Sequence, residues 1–276
     1  MTAPLRISIV TPCFNAQPLI RDTVASVLGQ RAVESGRVSL EYLVCDGAST
    51  DGTVEAVREF RAPSLQLVSE ADGSMYEALA KGLSATSGEV VAYLNAGDYY
   101  HPHAFDVVAD IFESQPVSWL TGYNVIYNDH GAVTSVQLPF RYRRALFECG
   151  AYGRLLPFVQ QESTFWRRDL NRHLDLRALA QLRYAGDSYL WTTFSRTEEL
   201  HVVQAVLGGF RFHSGQLSEN RDAYFAELRG FTRKSGFLDL ALAGFDRAMW
   251  QAPAAFKKLF NADGLLRYDH KSGQWR

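Results

Sequence analysis

The stretch VVAYLNAGDYYHP, residues 90–102, runs as an unbroken apolar segment and then stops on Asn95-Ala96-Gly97-Asp98. A lone carboxylate placed there is suited to a hard cation, because Mg²⁺ and Mn²⁺ take one or two carboxylates together with phosphate oxygens. Two other apolar runs end on acids as well, SLEYLVCDG on Asp46 and LQLVSEADG on Glu70 and Asp72. One acid after a strand reads best as a helix cap, and Asp51 is read that way. Three such strand ends in succession point to a polar ligand or a metal along one edge of a sheet. In an open parallel sheet, ligands bind in the crevice at the carboxyl ends of the strands.

The elements that must place these acids follow from periodicity. Residues 5–11 form a strand that ends at Pro12, with Asn15 in the following turn. PLIRDTVASVLGQ carries Ile20, Val24, Val27 and Leu28 at helical spacing, with Gly29 as its cap. A second helix buries Val54 and Val57, and a third, SMYEALAKGLSATSG, carries Met75, Leu79 and Leu83. Strand and helix alternate four times, which predicts an α/β fold on a mostly parallel sheet. Beyond residue 105, FDVVADIFES predicts a helix, and SWLTGYNVIY with GAVTSVQL predicts a small antiparallel addition. His101 and His103 are read as the start of a solvent-facing helix, and Tyr99 and Tyr100 as either packing or sugar-stacking residues.

Composition narrows the classes. The 276 residues are 47% hydrophobic with a net charge of −2, so no basic field is present for nucleic acid. Cys13, Cys45 and Cys149 are scattered and odd in number, which disfavours a zinc set or a disulfide framework and suits a reducing cytoplasm. The start, MTAPLRISIV, has no signal-peptide architecture, and no apolar run reaches the ~20 residues that span a bilayer. Neither a G-x-G-x-x-G turn nor a Walker A loop follows the first strand. The residues from 221 to 276 mix Lys and Arg with Phe, Trp and Leu. They predict a helical extension packed on the domain or on a second subunit; an interfacial helix contacting the inner face of a membrane is the lesser reading.

SIVTPCFN, VCDGASTDGT and SEADGSMYEALAKGLSATSGEVVAYLNAGD together resemble, in order and spacing, the nucleotide-binding half of family 2 glycosyltransferases of the bacterial surface-polysaccharide type. The resemblance implies a GT-A fold, a Rossmann-like sheet with helices on both faces. It implies a nucleotide-binding half at 1–105 and an acceptor half at 106–220. Thr11, Pro12 and Asn15 lie where such enzymes meet base and ribose, Asp46 where the base is held, and Asp72, Tyr76 and Lys81 in the segment covering the nucleotide. Asn95, Ala96, Gly97 and Asp98 take the place of the DxD motif; many members carry Asp at positions 95 and 97, so Asp98 alone remains as a charged ligand for Mn²⁺ or Mg²⁺. VQQESTFWRRDL resembles the acceptor-side segment, with Gln160, Gln161 and Glu162. YAGDSYLW implies Asp187 as catalytic base, with Glu162 in reserve. GGFRFHSGQLS offers Arg211, His213 and Ser214 to the diphosphate, and His213 as a further metal ligand.

The expectation is therefore an inverting transferase that moves a sugar from a nucleotide-sugar donor, usually UDP-linked, to a hydroxyl of a saccharide or lipid-linked oligosaccharide. Two alternatives stand beside it. A nucleotidyltransferase would carry a Gly- and Arg/Lys-rich loop after the first strand, and TPCFNAQPL has none. A sugar-nucleotide-binding protein without catalysis would fit Asn95 and Gly97 but not the retained acids.

Overall fold

A computed structural model describes residues 3–212, 216 and 219–276. The alternating half folds as its periodicity predicts. β1 (Leu5–Cys13), β2 (Val38–Asp46), β3 (Leu65–Ser69) and β4 (Val90–Tyr93) lie parallel in the order β3-β2-β1-β4. β1, β2 and β4 are buried along almost their whole length, as strands covered on both faces must be. The connections are α1 (Gln17–Leu28), α2 (Arg31–Glu34), α3 (Thr53–Arg58) and α4 (Met75–Ala85), followed by β5 (Tyr99–Tyr100) and α5 (Ala104–Ser114). α1 buries Ile20, Thr23, Val24 and Val27, one stripe of a helix on the sheet. α4 starts from Ser74, whose hydroxyl accepts the Glu77 N–H at 3.1 Å while the Glu77 carboxylate accepts the Gly73 N–H at 2.7 Å. That reciprocal arrangement satisfies two first-turn donors.

The sheet continues through β9 (Thr164–Arg167), β6 (Trp119–Thr121), β10 (His201–Val203) and β12 (Leu265–Leu266), in the order β4-β9-β6-β10-β12. β9 runs antiparallel to β4 and to β6, and the other junctions are parallel. SWLTGYNVIY splits in two: its first part is β6, and its second is β7 (Asn124–Tyr127), paired antiparallel with β8 (Val133–Gln137). β11 (Gly208–Arg211) joins β7 to β5 and completes a small four-stranded sheet. The remaining helices are α6 (Arg144–Glu148), α7 (Leu176–Ala180), α8 (Gly186–Phe194), α9 (Arg221–Leu228), α10 (Phe237–Trp250) and α11 (Ala254–Phe260). The C-terminal region is helical to Phe260 and then returns to sheet, adding β12 at the edge and the pair β13 (Tyr268–Asp269) and β14 (Gln274–Trp275). Two-residue strands carry no periodicity of their own, so nothing in the sequence announced them.

α8 matters most for the site. Its Trp191 stacks on Trp119 and meets Trp166 edge-on, each with ring centroids 5.9 Å apart, and Phe194 packs against both tryptophans. Large aromatic side chains locked in this way hold the first turn of α8 rigidly over the sheet.

Candidate active site

Asp98 follows β4 by a four-residue turn. Thr23 of α1, fully buried, pins that turn: its hydroxyl accepts the Gly97 N–H at 2.9 Å and donates to the Asp98 carbonyl at 2.9 Å. Gly97 has φ +112°, a backbone conformation that an L side chain rarely adopts. The turn is therefore built on glycine, and an aspartate at that position would be strained. The buried Asp98 carboxylate accepts the Arg211 N–H of β11 through Oδ1 at 2.8 Å. Its pKa lies well above the usual carboxylate range, first because burial strips its hydration and then because the charge of Glu162 opposes ionisation. Nearby, Asn95 donates to Gln161 Oε1 at 3.2 Å, while its own side-chain oxygen is buried without a protein partner.

Glu162 is buried just before β9 and accepts from Gln160 Nε2 at 3.1 Å. Loss of hydration raises its pKa, and the charge of Asp187 raises it further. No ion pair to Arg167 forms: that guanidinium donates instead to the carbonyls of Val117 and Phe112. Asp187 lies in the first turn of α8, half-buried, and accepts the Ser188 N–H at 2.6 Å and the Tyr224 hydroxyl at 3.4 Å. Loss of hydration pushes its pKa up to about 6. Asp98, Glu162 and Asp187 thus form a chain of acids in which each feels the next.

At the ends of β1 and β2, Asp46 is buried and accepts from Ser49 N at 3.0 Å, from Ser69 Oγ at 2.6 Å and from the Ser49 hydroxyl. Asp72 packs on Gly47, where a Cβ would meet the Asp72 carboxylate at 2.8 Å, so Asp46 and Asp72 share one rim. The Asp72 pKa is raised, chiefly by burial and also by the charges of Glu77 and Asp46. Asn15, with φ +47°, accepts the Thr50 N–H at 3.0 Å and ties the first loop to the second. Pro12 is buried in β1. The N-cap of α3 is Gly52 rather than Asp51, which sits one residue earlier and accepts the N–H groups of Gln17 and Thr53 at 3.0 Å each.

Several expected nucleotide residues are engaged elsewhere. Thr11 turns its hydroxyl to Tyr42 at 3.0 Å inside the core. Tyr76 is buried against Gly186 and donates to the Tyr184 carbonyl at 3.1 Å, so it buttresses the approach to Asp187. Lys81 is exposed and pairs with Glu77 at 3.2 Å. The Arg211 guanidinium pairs with Asp22 at 2.9 Å, donates to the Asp129 carbonyl and lies over the Tyr99 ring. Its contact with Asp98 comes through its backbone. His213 and Ser214 lie outside the described residues.

Glu227 of α9 was not singled out from the sequence. Its carboxylate accepts three successive N–H groups ahead of α8, from Arg183 and Tyr184 at 2.8 Å each and from Ala185 at 2.6 Å. One side chain thereby fixes the entry of the helix that carries Asp187. Glu227→Ala is expected to cost about 1–3 kcal/mol of stability, the range for orphaned buried hydrogen-bonding groups. The check is a calorimetric unfolding scan beside a UDP titration: stability falls while nucleotide affinity holds. Because the Glu227 charge also raises the Asp187 pKa, Glu227→Gln moves the acid limb of any activity profile to lower pH.

An eight-stranded, mostly parallel sheet with an acid after β4 and a second acid on a helix beyond it is the arrangement that the resemblance to GT-A-fold transferases implies. Residues 8–174 match the model of glycosyl transferase family 2, and the chain belongs to that family. It is 28% identical over 229 residues to an Escherichia coli enzyme, the UDP-Glc:α-D-GlcNAc-diphosphoundecaprenol β-1,3-glucosyltransferase WfgD, covering 81% of this chain and 82% of that one. An uncharacterised glycosyltransferase of Mycobacterium tuberculosis is 32% identical over 129 residues, and that match spans 45% of this chain and about half, 47%, of the relative. Among solved structures, S. aureus TarS 1-349 with UDP-GlcNAc superposes with TM-score 0.61 at 14% identity, covering 92% of this chain and 70% of that one. A Pyrobaculum calidifontis mannosyltransferase with GDP-Man and Mn²⁺ superposes with TM-score 0.58 at 17% identity, covering 92% and 72%.

Proposed function

We propose that the protein is an inverting, metal-dependent glycosyltransferase. In this reading it moves a sugar from a UDP-linked donor to a hydroxyl of a saccharide or lipid-linked saccharide in surface-polysaccharide synthesis. The observation that carries the reading is the chain of acids Asp98, Glu162 and Asp187. Neighbouring acids whose pKa values are raised by burial and by one another's charge are candidates for cation binding and proton transfer. Asp98 is the cation ligand. The unpartnered oxygen of Asn95, three residues before it, is a further donor available to a divalent ion that takes few protein ligands; no group of three or more His, Cys, Asp or Glu converges among the described residues. Bound Mn²⁺ or Mg²⁺ would supply charge neutralisation for the departing diphosphate.

Asp187 is the base that takes the proton of the acceptor hydroxyl. It keeps an open face, whereas Glu162 is sealed among Gln160 and its neighbours and acts as a neighbouring charge. The rim of Asn15, Asp46 and Asp72 faces the nucleobase. The domain reading keeps 1–220 as the transferase and 221–276 as an extension that lends α9 to the site. Family membership displaces the nucleotidyltransferase alternative, and measured turnover separates a transferase from a binding protein.

Calorimetric titration of UDP with Mn²⁺ and again with EDTA tests the reading, followed by a screen of UDP-sugars for transfer. Metal-dependent binding followed by turnover supports it. Binding that ignores EDTA removes the metal from the proposal.

A further inference from the structure

α10 buries Ala243, Met249 and Trp250, yet it and α11 are apolar on their outer face as well. A helix packed on a soluble domain turns its apolar stripe inward and its charges to water. Here both acids of α10 are buried. Asp239 pairs with Arg233 at 2.6 Å, and Asp246 is held by Arg143 at 2.8 and 3.0 Å. Lys257 of α11 is buried too, donating to the carbonyls of Leu138 and Trp250. What the two helices show to solvent is Phe237 (84% exposed), Leu238 (75%), Leu240, Phe245, Phe256, Leu259 (71%) and Phe260. The faces form one surface, because the Phe245 and Phe260 rings meet with centroids 6.0 Å apart.

Along α10, α11 and the residues just before them the charges that remain outside have one sign; the exposed Asp263 lies beyond α11, beside Lys258. Between residues 234 and 260 the exposed or half-exposed ionisable side chains are Lys234, Arg247 and Lys258, and both acids of the segment are internal. An apolar patch of this size marks an interaction site, and a cationic fringe selects an anionic partner. No helix among the described residues is long and apolar enough to cross a membrane, so the surface can lie on a bilayer but not span one. We infer that the α10–α11 face docks onto an anionic lipid surface, with the Phe and Leu side chains entering the acyl boundary and Lys234 and Arg247 at the headgroups. α10 packs on α6, and α6 packs on α8, whose first turn carries Asp187. This inference deepens the functional reading, resting on it only for purpose: a lipid-linked acceptor would be presented at that surface.

The test is co-sedimentation of the full chain with phosphatidylcholine vesicles, with and without phosphatidylglycerol, in parallel with UDP titration. The expected result is binding to the phosphatidylglycerol vesicles. The variant Phe237→Ser/Leu238→Ser/Phe256→Ser/Leu259→Ser should partition at least ~100-fold more weakly, since four large apolar side chains no longer insert. Its unfolding midpoint and UDP affinity should stay unchanged, because all four residues are exposed. Lys234→Glu/Arg247→Glu should lose the preference for phosphatidylglycerol. Wild-type protein left in the supernatant overturns the inference, as does sedimentation unchanged in the fourfold variant. A dimer by light scattering that the fourfold variant converts to monomer, with no vesicle binding, assigns the face to a second copy and also overturns it. Loss of UDP binding with vesicle binding intact would sink the functional reading and leave the lipid face standing.

Discussion

If Asp98 holds the cation, Asp98→Asn is expected to remove the metal dependence of UDP binding and to lower turnover by roughly 10²–10³-fold, the scale seen when one preorganised charge-stabilising group is deleted. The argument starts from burial. Among the described residues the buried carboxylate has one hydrogen bond, from the Arg211 N–H, and it faces the charge of Glu162. An asparagine keeps the shape and can still accept from Arg211, so the change isolates the charge. Because the native pKa is raised, Asp98 favours folding in its protonated form, and that contribution is lost as pH rises from the ordinary carboxylate range through the raised value. At neutral pH without metal, the Asn variant should therefore unfold no earlier than wild type. With Mn²⁺ and UDP the order reverses: wild type gains stability by mass action and the variant does not. Unfolding scans under the two conditions decide the matter. An equal Mn²⁺-UDP shift in both proteins would mean that Asp98 holds no cation.

The half of the chain that carries this acid was legible because its elements repeat. β4 is a continuous apolar run, β1 and β2 are β-rich runs bounded by turn residues, and each helix carries its stripe at helical spacing. Asp46 and Asp98 could be placed at the sheet edge from the end of a strand alone. What the sequence could not show was where a side chain turns. Thr11 and Tyr76 sit in the expected segments, yet Thr11 bonds Tyr42 across the core and Tyr76 bonds the carbonyl of Tyr184 more than a hundred residues away. Such partners follow from tertiary packing, which no local pattern encodes. Thr23 was hidden for the opposite reason. It falls in the helical stripe and reads as filler, but its hydroxyl makes two hydrogen bonds to the turn of Asp98. Glu227 was hidden because α9 has a weak pattern and lies in the part of the chain read as extension. A Glu followed by basic and aromatic residues gives no sign of accepting three N–H groups from a loop forty residues back.

Asp187→Asn is expected to lower kcat by about 10²–10⁴-fold while UDP affinity stays the same, the range that general-base removal produces. The carboxylate is held in place by its neighbours. Ser188 N–H fixes Oδ1, Tyr224 supports the same oxygen, Glu227 pins the preceding loop, and the tryptophan cluster anchors the helix. Asparagine preserves those contacts through its carbonyl oxygen, so a folding defect is not expected and the loss falls on proton transfer. The same geometry sets the pH profile. With its pKa pushed up to about 6, Asp187 is ionised at neutral pH and protonated in mild acid. The wild-type kcat/KM should be flat above that point and fall about tenfold per pH unit below it. Glu227→Gln should move that limb to lower pH, a shift that a purely structural role for Asp187 would not produce. Turnover in Asp187→Asn within a few-fold of wild type would transfer the role to Glu162. The companion variant Glu162→Gln would then show the large loss instead, and the acid limb would follow the titration of that buried group.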